Sequence, residues 1–188
     1  LERKFWRERE KELVDKLHIQ ATTDQLTGIF NRRVVFDALD EAMEKANESQ
    51  DREFTTIMFD IDFFKQVNDT HGHAGGDAVL ISFAKLLESE ITSPNIVGRI
   101  GGEEFLAILY LNQDQAAEFC KKLIIKINDN TVNFDGIDIK ISSSGGVAFS
   151  SETNTSADLT NKADERLYEA KKSGRNRFKL IDSELVGD

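Results

Sequence analysis

Val97-Gly98-Arg99-Ile100-Gly101-Gly102-Glu103-Glu104-Phe105-Leu106-Ala107-Ile108-Leu109 sets two short apolar runs on either side of a glycine pair and two adjacent carboxylates. This pattern predicts a β-hairpin with acid at its tip. Gly101-Gly102 supplies the φ > 0 positions of a tight two-residue turn, and Ile96-Val97 and Phe105 to Leu109 supply apolar, β-prone flanks. A bend without side chains also admits a bulky anion against the backbone. Two carboxylates there would repel that anion unless a cation lay between, so Glu103 and Glu104 point to Mg²⁺ and phosphate together. Taken alone, such a tetrapeptide is more often a surface turn with solvated glutamates.

Upstream of the hairpin, Gly75-Gly76-Asp77 opens an amphipathic helix carrying Val79, Leu80, Phe83, Ala84, Leu86 and Leu87, which stops before Pro94. Phe54 to Phe59 is a β-branched and aromatic run that leads into Asp60-Ile61-Asp62-Phe63-Phe64-Lys65. An acid at the carboxyl end of a buried strand is where α/β folds place chemistry. Gln66 to about Thr70 is a brief helical turn ending near Gly72. Downstream, the patterns predict helices over about 114–128 and 157–172, the second stopped by Ser173-Gly174, and strands over 137–141, 144–149 and 177–181. At the front, Leu1 to about Gln20 is a charge-dense helix with Phe5, Trp6, Leu13, Val14 and Leu17. Trp6, Leu13 and Leu17 have the spacing of a coiled-coil seam, interrupted by Glu10, and a solvated helix packed on its own domain fits equally well. Thr22-Thr23-Asp24 offers capping side chains, and a helix over about 30–46 precedes the first strand. Helices alternate with strands, yet the hairpin cannot be a parallel crossover. The fold is therefore α/β or α+β around a central mixed sheet.

A chain of 188 residues forms one domain with at most an appendage. Its formal net charge of −10 argues against binding to nucleic acid or an anionic membrane, and an anionic substrate would need locally placed cations. The one cysteine, Cys120, reads as a buried thiol in a reducing compartment. No apolar run approaches the roughly 20 residues of a membrane span. The chain begins at Leu1, and its first twenty residues read as the end of something longer.

Asp60, Glu103 and Glu104 would form an open Mg²⁺ site, completed by phosphate oxygens and water, if their strands pair. Without the hairpin, Asp60 and Asp62 would read as a polar strand exit. The helix start at Phe63-Phe64-Lys65 offers backbone N–H groups to phosphate. Lys171, Lys172 and Arg175 add cations, although a cationic last turn is also ordinary dipole complementarity. Asn68 and Asp77 suit a base edge, because a carboxylate accepts from two guanine N–H groups, and either could equally cap a helix.

Together these blocks resemble the GGDEF-domain diguanylate cyclases. The resemblance rests on Asp24-Gln25-Leu26-Thr27-Gly28-Ile29-Phe30-Asn31-Arg32-Arg33, Asp60 to Asp69, Gly72-His73-Ala74-Gly75-Gly76-Asp77, Gly101-Gly102-Glu103-Glu104-Phe105, and Ala163 to Lys171 with Gly174-Arg175-Asn176. It runs in the family's order over about residues 21–180. It implies three segments: a connector helix over 1–20, a catalytic domain over 21–182 and a tail over 183–188. It also implies a fold like the nucleotidyl cyclase core and the polymerase palm, a central mixed sheet surrounded by helices. The implied reaction joins two GTP into cyclic di-GMP, a bacterial second messenger, and releases two pyrophosphates.

Carried over by position, Asp60, the Ile61 carbonyl and Glu103 would hold Mg²⁺, with room for two ions per half-site and Mn²⁺ as an alternative. Glu104 and Lys65 would assist catalysis, and Glu103 would help deprotonate the attacking 3′-hydroxyl. Asn68 and Asp77 would read guanine. The Phe63 and Phe64 amides, Lys65, Lys171 and Arg175 would hold the triphosphate. Each domain would hold one GTP, so a homodimer would be the active species. The implied setting is cytoplasmic, within a longer and sometimes membrane-anchored protein that carries an upstream sensor or receiver region. The rival readings are an inactive GTP-binding regulatory domain and a hybrid cyclase making cyclic GMP-AMP. Many members carry Arg-x-x-Asp five residues before the signature as a product-inhibition site. Here that window is Thr92-Ser93-Pro94-Asn95, so Thr92 and Asn95 occupy the two charged positions and the site is expected to be missing.

Overall fold

All seven residues of β1 (Thr55–Ile61) are buried, and alternation along this strand decides which side of the sheet each serves. Ile57, Phe59 and Ile61 enter one apolar cluster and Met58 enters the other. The computed structural model describes residues 2–49, 52–181 and 185–187. Its helices are α1 (Glu2–Thr22), α2 (Arg32–Glu48), α3 (Phe64–Glu90), α4 (Gln113–Asp129) and α5 (Ser156–Lys172). After β1 come β2 (Ile96–Gly101), β3 (Glu104–Leu109), β4 (Thr131–Phe134), β5 (Ile137–Lys140), β6 (Ser143–Phe149), β7 (Phe178–Lys179) and β8 (Leu185–Val186). The main sheet has the order β2-β3-β1-β6-β7-β8, and β4-β5 form a separate hairpin. All neighbouring pairs in the main sheet are antiparallel except β6 and β7, which are joined through α5. The fold is thus the expected mixed α/β sheet wrapped by helices.

One face of the sheet packs on α3 and α4 through Val79, Phe83, Leu87, Cys120, Leu123 and Ile127. Edge-to-face rings at Phe59–Phe178 (5.7 Å) and Phe83–Phe105 (5.1 Å) tighten that side, each worth about 0.5–1.5 kcal/mol beyond burial. The other face packs on α2 and α5 through Val35, Leu39, Met43, Leu159, Ala163 and Leu167. Gly146 of β6 allows α5 to lie close: a Cβ there would sit 1.9 Å from the Ala163 carbonyl oxygen. α1 leaves Trp6, Leu13, Val14, Leu17 and Ile19 exposed. No helix among the described residues is long and apolar enough to cross a membrane.

Several boundaries differ from the sequence reading. Thr22 and Thr23 close α1 instead of opening a helix, their hydroxyls donating to the His18 and Ile19 carbonyls at 2.8 Å each. Asn31 caps α2, so Phe30 is free to bridge to Gly98 and Thr23. Gly72, at φ 73°, breaks α3 where a break was expected, but helix resumes directly after it and not at Gly75. β4 was not anticipated, and β7 is shorter than 177–181. Within the expected tail, Leu185–Val186 pairs with β7, whereas Ser183, Glu184 and Asp188 lie outside the described residues, as does Leu1 at the front.

Candidate active site

The hairpin turns one residue later than expected. Arg99 pairs with Phe105 and Gly101 with Glu104, so Ile100 is an extra, bulged residue and the two-residue loop is Gly102-Glu103. Only Gly102 of the glycine pair has positive φ, 43°. Glu103 therefore occupies the turn itself and Glu104 begins β3. Glu104 stands opposite Asp60 on β1, which in turn stands opposite Ser144 on β6. Alternation puts Asp60 on the same face as Met58, and Glu104 on the same face as Leu106 and Ile108, and that face is covered by α5.

α5 ends at this corner, and Lys171 in its last turn places Nζ 2.8 Å from Asp60 Oδ2. Burial pushes the Asp60 carboxyl above its ordinary value. Lys171 pulls it down, and the nearby Glu103 and Glu104 charges push it up again, leaving it raised. Of these three carboxylates only Asp60 pairs with the lysine, and Glu103 and Glu104 act on it as nearby charges. A shallow cleft of about 310 Å³ opens beside them, lined by Glu104, Asp164, Glu165, Leu167, Tyr168 and Lys171.

Asp62, two residues on, has a different environment. It is 4% exposed and accepts from Ser144 Oγ (2.7 Å), Ser142 Oγ (2.8 Å) and the Asn176 amide (2.9 Å). This carboxylate ties the loop after α5 to the exit of β1. Asn176, in left-handed conformation, keeps its side-chain Oδ1 buried without a donor, which adds to the surplus of acceptors at this corner.

Phe63 follows in left-handed conformation (φ 55°), turning the chain into α3, whose first N–H groups have no partner within the helix. The Arg175 guanidinium stacks on the exposed Phe63 ring at 4.7 Å. Lys171, Arg175, Phe63 and Phe64 are thus gathered around the strand exit, with Lys65 exposed on the first turn. The Gly72 break folds α3 back, and Gly76 packs so tightly on Asn68 that a Cβ would fall 1.9 Å from its Oδ1. Asn68 and the exposed Asp77 therefore flank one contact. Thr92 and Asn95 lie away from these groups: Asn95 Oδ1 accepts from the Tyr110 amide at 2.9 Å.

No three His, Cys, Asp or Glu side chains among the described residues are close enough to hold a metal by themselves. The fit for Mg²⁺ rests on a different donor set. Mg²⁺ takes one or two carboxylates and completes its shell with water and substrate phosphate, and a partly desolvated Asp60 flanked by two more acids calls for a cation.

The sequence reading missed Ser142 and Ser144, which occupy Asp62, and the pairing of Asp24 with Arg99. Asp24 Oδ1 accepts from the Thr27 amide (2.9 Å), the Thr27 hydroxyl (2.7 Å) and Arg99 (3.1 Å). The recurrence of Asp24 three residues before Thr27 was the available signal for the turn, but nothing local pointed to Arg99.

Residues 21–177 match the family described as diguanylate cyclase, GGDEF domain. Diguanylate cyclase DgcS of Shewanella oneidensis is 36% identical over 170 residues, which cover 90% of this chain and 56% of that protein. Diguanylate cyclase A of Treponema denticola is 35% identical over 168 residues, covering 87% of this chain and 45% of that protein. The chain thus spans about half the length of these relatives. The crystal structure of the coiled coil and GGDEF domain of DgcB from Caulobacter crescentus, in complex with c-di-GMP, superposes with a TM-score of 0.86 at 27% identity. That match covers 96% of each chain. The chain belongs to the GGDEF-domain diguanylate cyclase family.

Proposed function

We propose that this domain condenses two GTP molecules into cyclic di-GMP, with one GTP held by each of two facing copies. The observation that carries the reading is the corner itself, where Asp60 pairs with Lys171 and feels the charges of Glu103 and Glu104, beside a helix start and a stacked arginine. The named relatives, diguanylate cyclases at about 35% identity, support it.

In this reading Asp60, the Ile61 carbonyl and Glu103 hold Mg²⁺, or Mn²⁺ in its place, which supplies charge neutralisation for the triphosphate. The Phe63 and Phe64 amides, Lys65 and Arg175 would bind phosphate oxygens, and Lys171, now paired with Asp60, would be free to do so where a metal ion held that carboxylate. Asn68 and Asp77 accept and donate along the guanine edge. The 3′-oxygen of one GTP attacks the α-phosphorus of the other, the bond to the β-phosphate bridging oxygen breaks, and pyrophosphate leaves. The proton of the 3′-hydroxyl passes to Glu103 or to water that it orients. The same exchange in the opposite sense closes the ring and releases the second pyrophosphate. Both steps need positioning more than covalent help.

Two half-sites must meet, so the homodimer is the working species, in the cytoplasm where GTP is held. The exposed row Trp6, Leu13 and Leu17 on α1 suits a parallel pairing with a second copy and a link to an upstream signal-receiving region. Incubation with GTP and Mg²⁺, followed by separation of products, tests the proposal. Cyclic di-GMP and pyrophosphate in a 1:2 ratio are expected. GTP binding without turnover would make the domain a regulatory GTP sensor, and a mixed product from GTP and ATP would make it a hybrid cyclase.

A further inference from the structure

The first strand of the hairpin is stitched to the segment that follows α1. The Arg99 amide donates to the Phe30 carbonyl at 2.9 Å, and Arg32 Nη1 donates to the Ile100 carbonyl at 3.1 Å. Gly98 makes the approach possible, because a Cβ there would lie 2.5 Å from the Phe30 oxygen. The Arg99 side chain then reaches in two directions. Its Nε donates to the Gly102 carbonyl at 2.9 Å, inside the turn that carries Glu103, and its Nη1 bonds both oxygens of Asp24 at 3.1 and 3.4 Å.

Asp24 is itself fixed. Burial raises its carboxyl, but the Thr27 hydroxyl and amide and then Arg99 outweigh burial and hold it below the usual value. Its amide donates to the Ile29 carbonyl and its carbonyl accepts from Gly28, closing the turn. Two residues earlier α1 ends, and there Asn31 and Arg33 donate to the Ala21 carbonyl at 3.0 and 2.7 Å. Both side chains of the ion pair are mostly buried, Arg99 at 16% exposure and Asp24 at 24%, so the pair is more than a solvated surface contact.

We propose that Arg99 and Asp24 are a positioning pair that fixes the Gly102-Glu103 turn relative to Asp60, anchoring the hairpin to the end of α1. The inference rests on the proposed reading of Glu103 as a working residue. A bulged hairpin whose loop contains a left-handed glycine has few side chains to hold it, and the Arg99 fork supplies two donors in fixed geometry. Its bonds run to the Gly102 carbonyl and to Asp24, so its effect is on placement. Arg99 is also occupied by these bonds and does not stand in for the arginine absent from the Thr92–Asn95 window.

The test compares the wild-type chain with Arg99→Ala, Arg99→Lys, Asp24→Asn and the double variant Arg99→Ala/Asp24→Asn. Turnover is measured with GTP and Mg²⁺, and amide exchange in the peptide spanning residues 99–106 is measured with neither present. Arg99→Ala should lower kcat by about tenfold or more, since a misplacement near 1 Å costs up to about a hundredfold. KM should stay within about threefold, because the phosphate-binding groups are untouched. Exchange in the hairpin peptide should rise, with α4 unchanged. Arg99→Lys should recover little, as an ammonium cannot serve Gly102 and Asp24 as a fork does. Asp24→Asn should add nothing to Arg99→Ala.

Unchanged turnover in folded Arg99→Ala overturns the proposal, as does unchanged hairpin exchange, or effects of the two substitutions that multiply. If the wild-type chain makes no cyclic di-GMP, the proposed reaction fails, and the exchange comparison then decides the pair alone.

Discussion

α5 carries two cations, Arg166 and Lys171, that reach the sheet at opposite ends of β6, and the two corners they make are unlike. At one end Arg166 donates to both oxygens of Glu152 at 2.6 and 2.7 Å and also to the Val147 carbonyl at 2.7 Å. The Phe149 amide adds a further donor to Glu152 at 2.9 Å. Burial raises the Glu152 carboxyl, but these bonds outweigh burial and leave it below its ordinary value. At the other end a single lysine faces Asp60 while two more acids stand nearby, and the carboxyl there is raised. The first corner has donors for nearly all of its acceptor capacity and is finished as it stands. The second has acceptors to spare, in a place where charge repulsion is stored, and is completed only by something cationic.

The largest break in this comparison is Asp60→Asn. It removes the charge of the proposed metal ligand but little shape, and metal assistance is worth several kcal/mol of barrier, so turnover should fall by about 10³-fold or more. Its melting temperature should stay within a few degrees of wild type, because the substitution relieves repulsion as it loses Lys171. A folded variant that retains near-normal turnover would remove Asp60 from the proposed metal site. Arg166→Met should do the reverse. It leaves Glu152 and the Val147 carbonyl short of donors in a partly buried corner, at a cost of about 3 kcal/mol. The melting point should drop by about 6–12 °C with kcat close to wild type. Scanning calorimetry with parallel assays measures both, and equal stability losses in the two variants would erase the distinction.

The hairpin was legible because two apolar runs flank a glycine-containing turn, whereas the convergence of its acids with Asp60 was conditional on strand pairing, and the register that sets Glu104 opposite Asp60 came from the structure. The turn itself was misread by one residue, since the Ile100 bulge depends on Arg99 and Phe30 holding the strand from outside. Asp60 and Asp62 were indistinguishable as a strand-exit pair. What separates them is Ser142 and Ser144 at the start of β6, 80 and 82 residues from Asp62, which no local pattern announces. Lys171 could be named as a cation but not placed. Its meeting with Asp60 requires α5 to rest on β6, and that depends on Gly146 having no side chain.

Gly146→Ala therefore tests both corners at once. The methyl would overlap the Ala163 carbonyl and the Leu167 amide, 2.4 Å from the new Cβ, so α5 must move outward. Overpacking of this kind costs about 1–3 kcal/mol. Thermal unfolding should show that loss, and turnover should fall as well, because Lys171 is carried away from the site. A loss of stability with unchanged turnover would mean that Lys171 tolerates displacement.

The smallest effect expected is in the pH dependence of stability, where the corners should differ in sign. Glu152 has a folded-state value below the ordinary 4.5. The unfolded chain therefore binds the proton first as pH falls, and the stabilisation from the Arg166 pair, fully present above about 4.5, is lost as pH drops through the lower folded value. Asp60 has a folded-state value above its ordinary 3.8. The folded chain binds that proton first, so Asp60 costs stability at neutral pH and returns it as pH falls below the raised value. Urea unfolding in chelator between pH 3 and pH 7 separates the two. The stability deficit of Glu152→Gln relative to wild type should shrink as pH falls below about 4.5. Over the same range Asp60→Asn should gain on wild type at neutral pH and lose that gain in acid. Parallel trends for the two variants would mean that the Asp60 corner is as well satisfied as the Glu152 corner, and the case for a cation site there would lose its electrostatic basis.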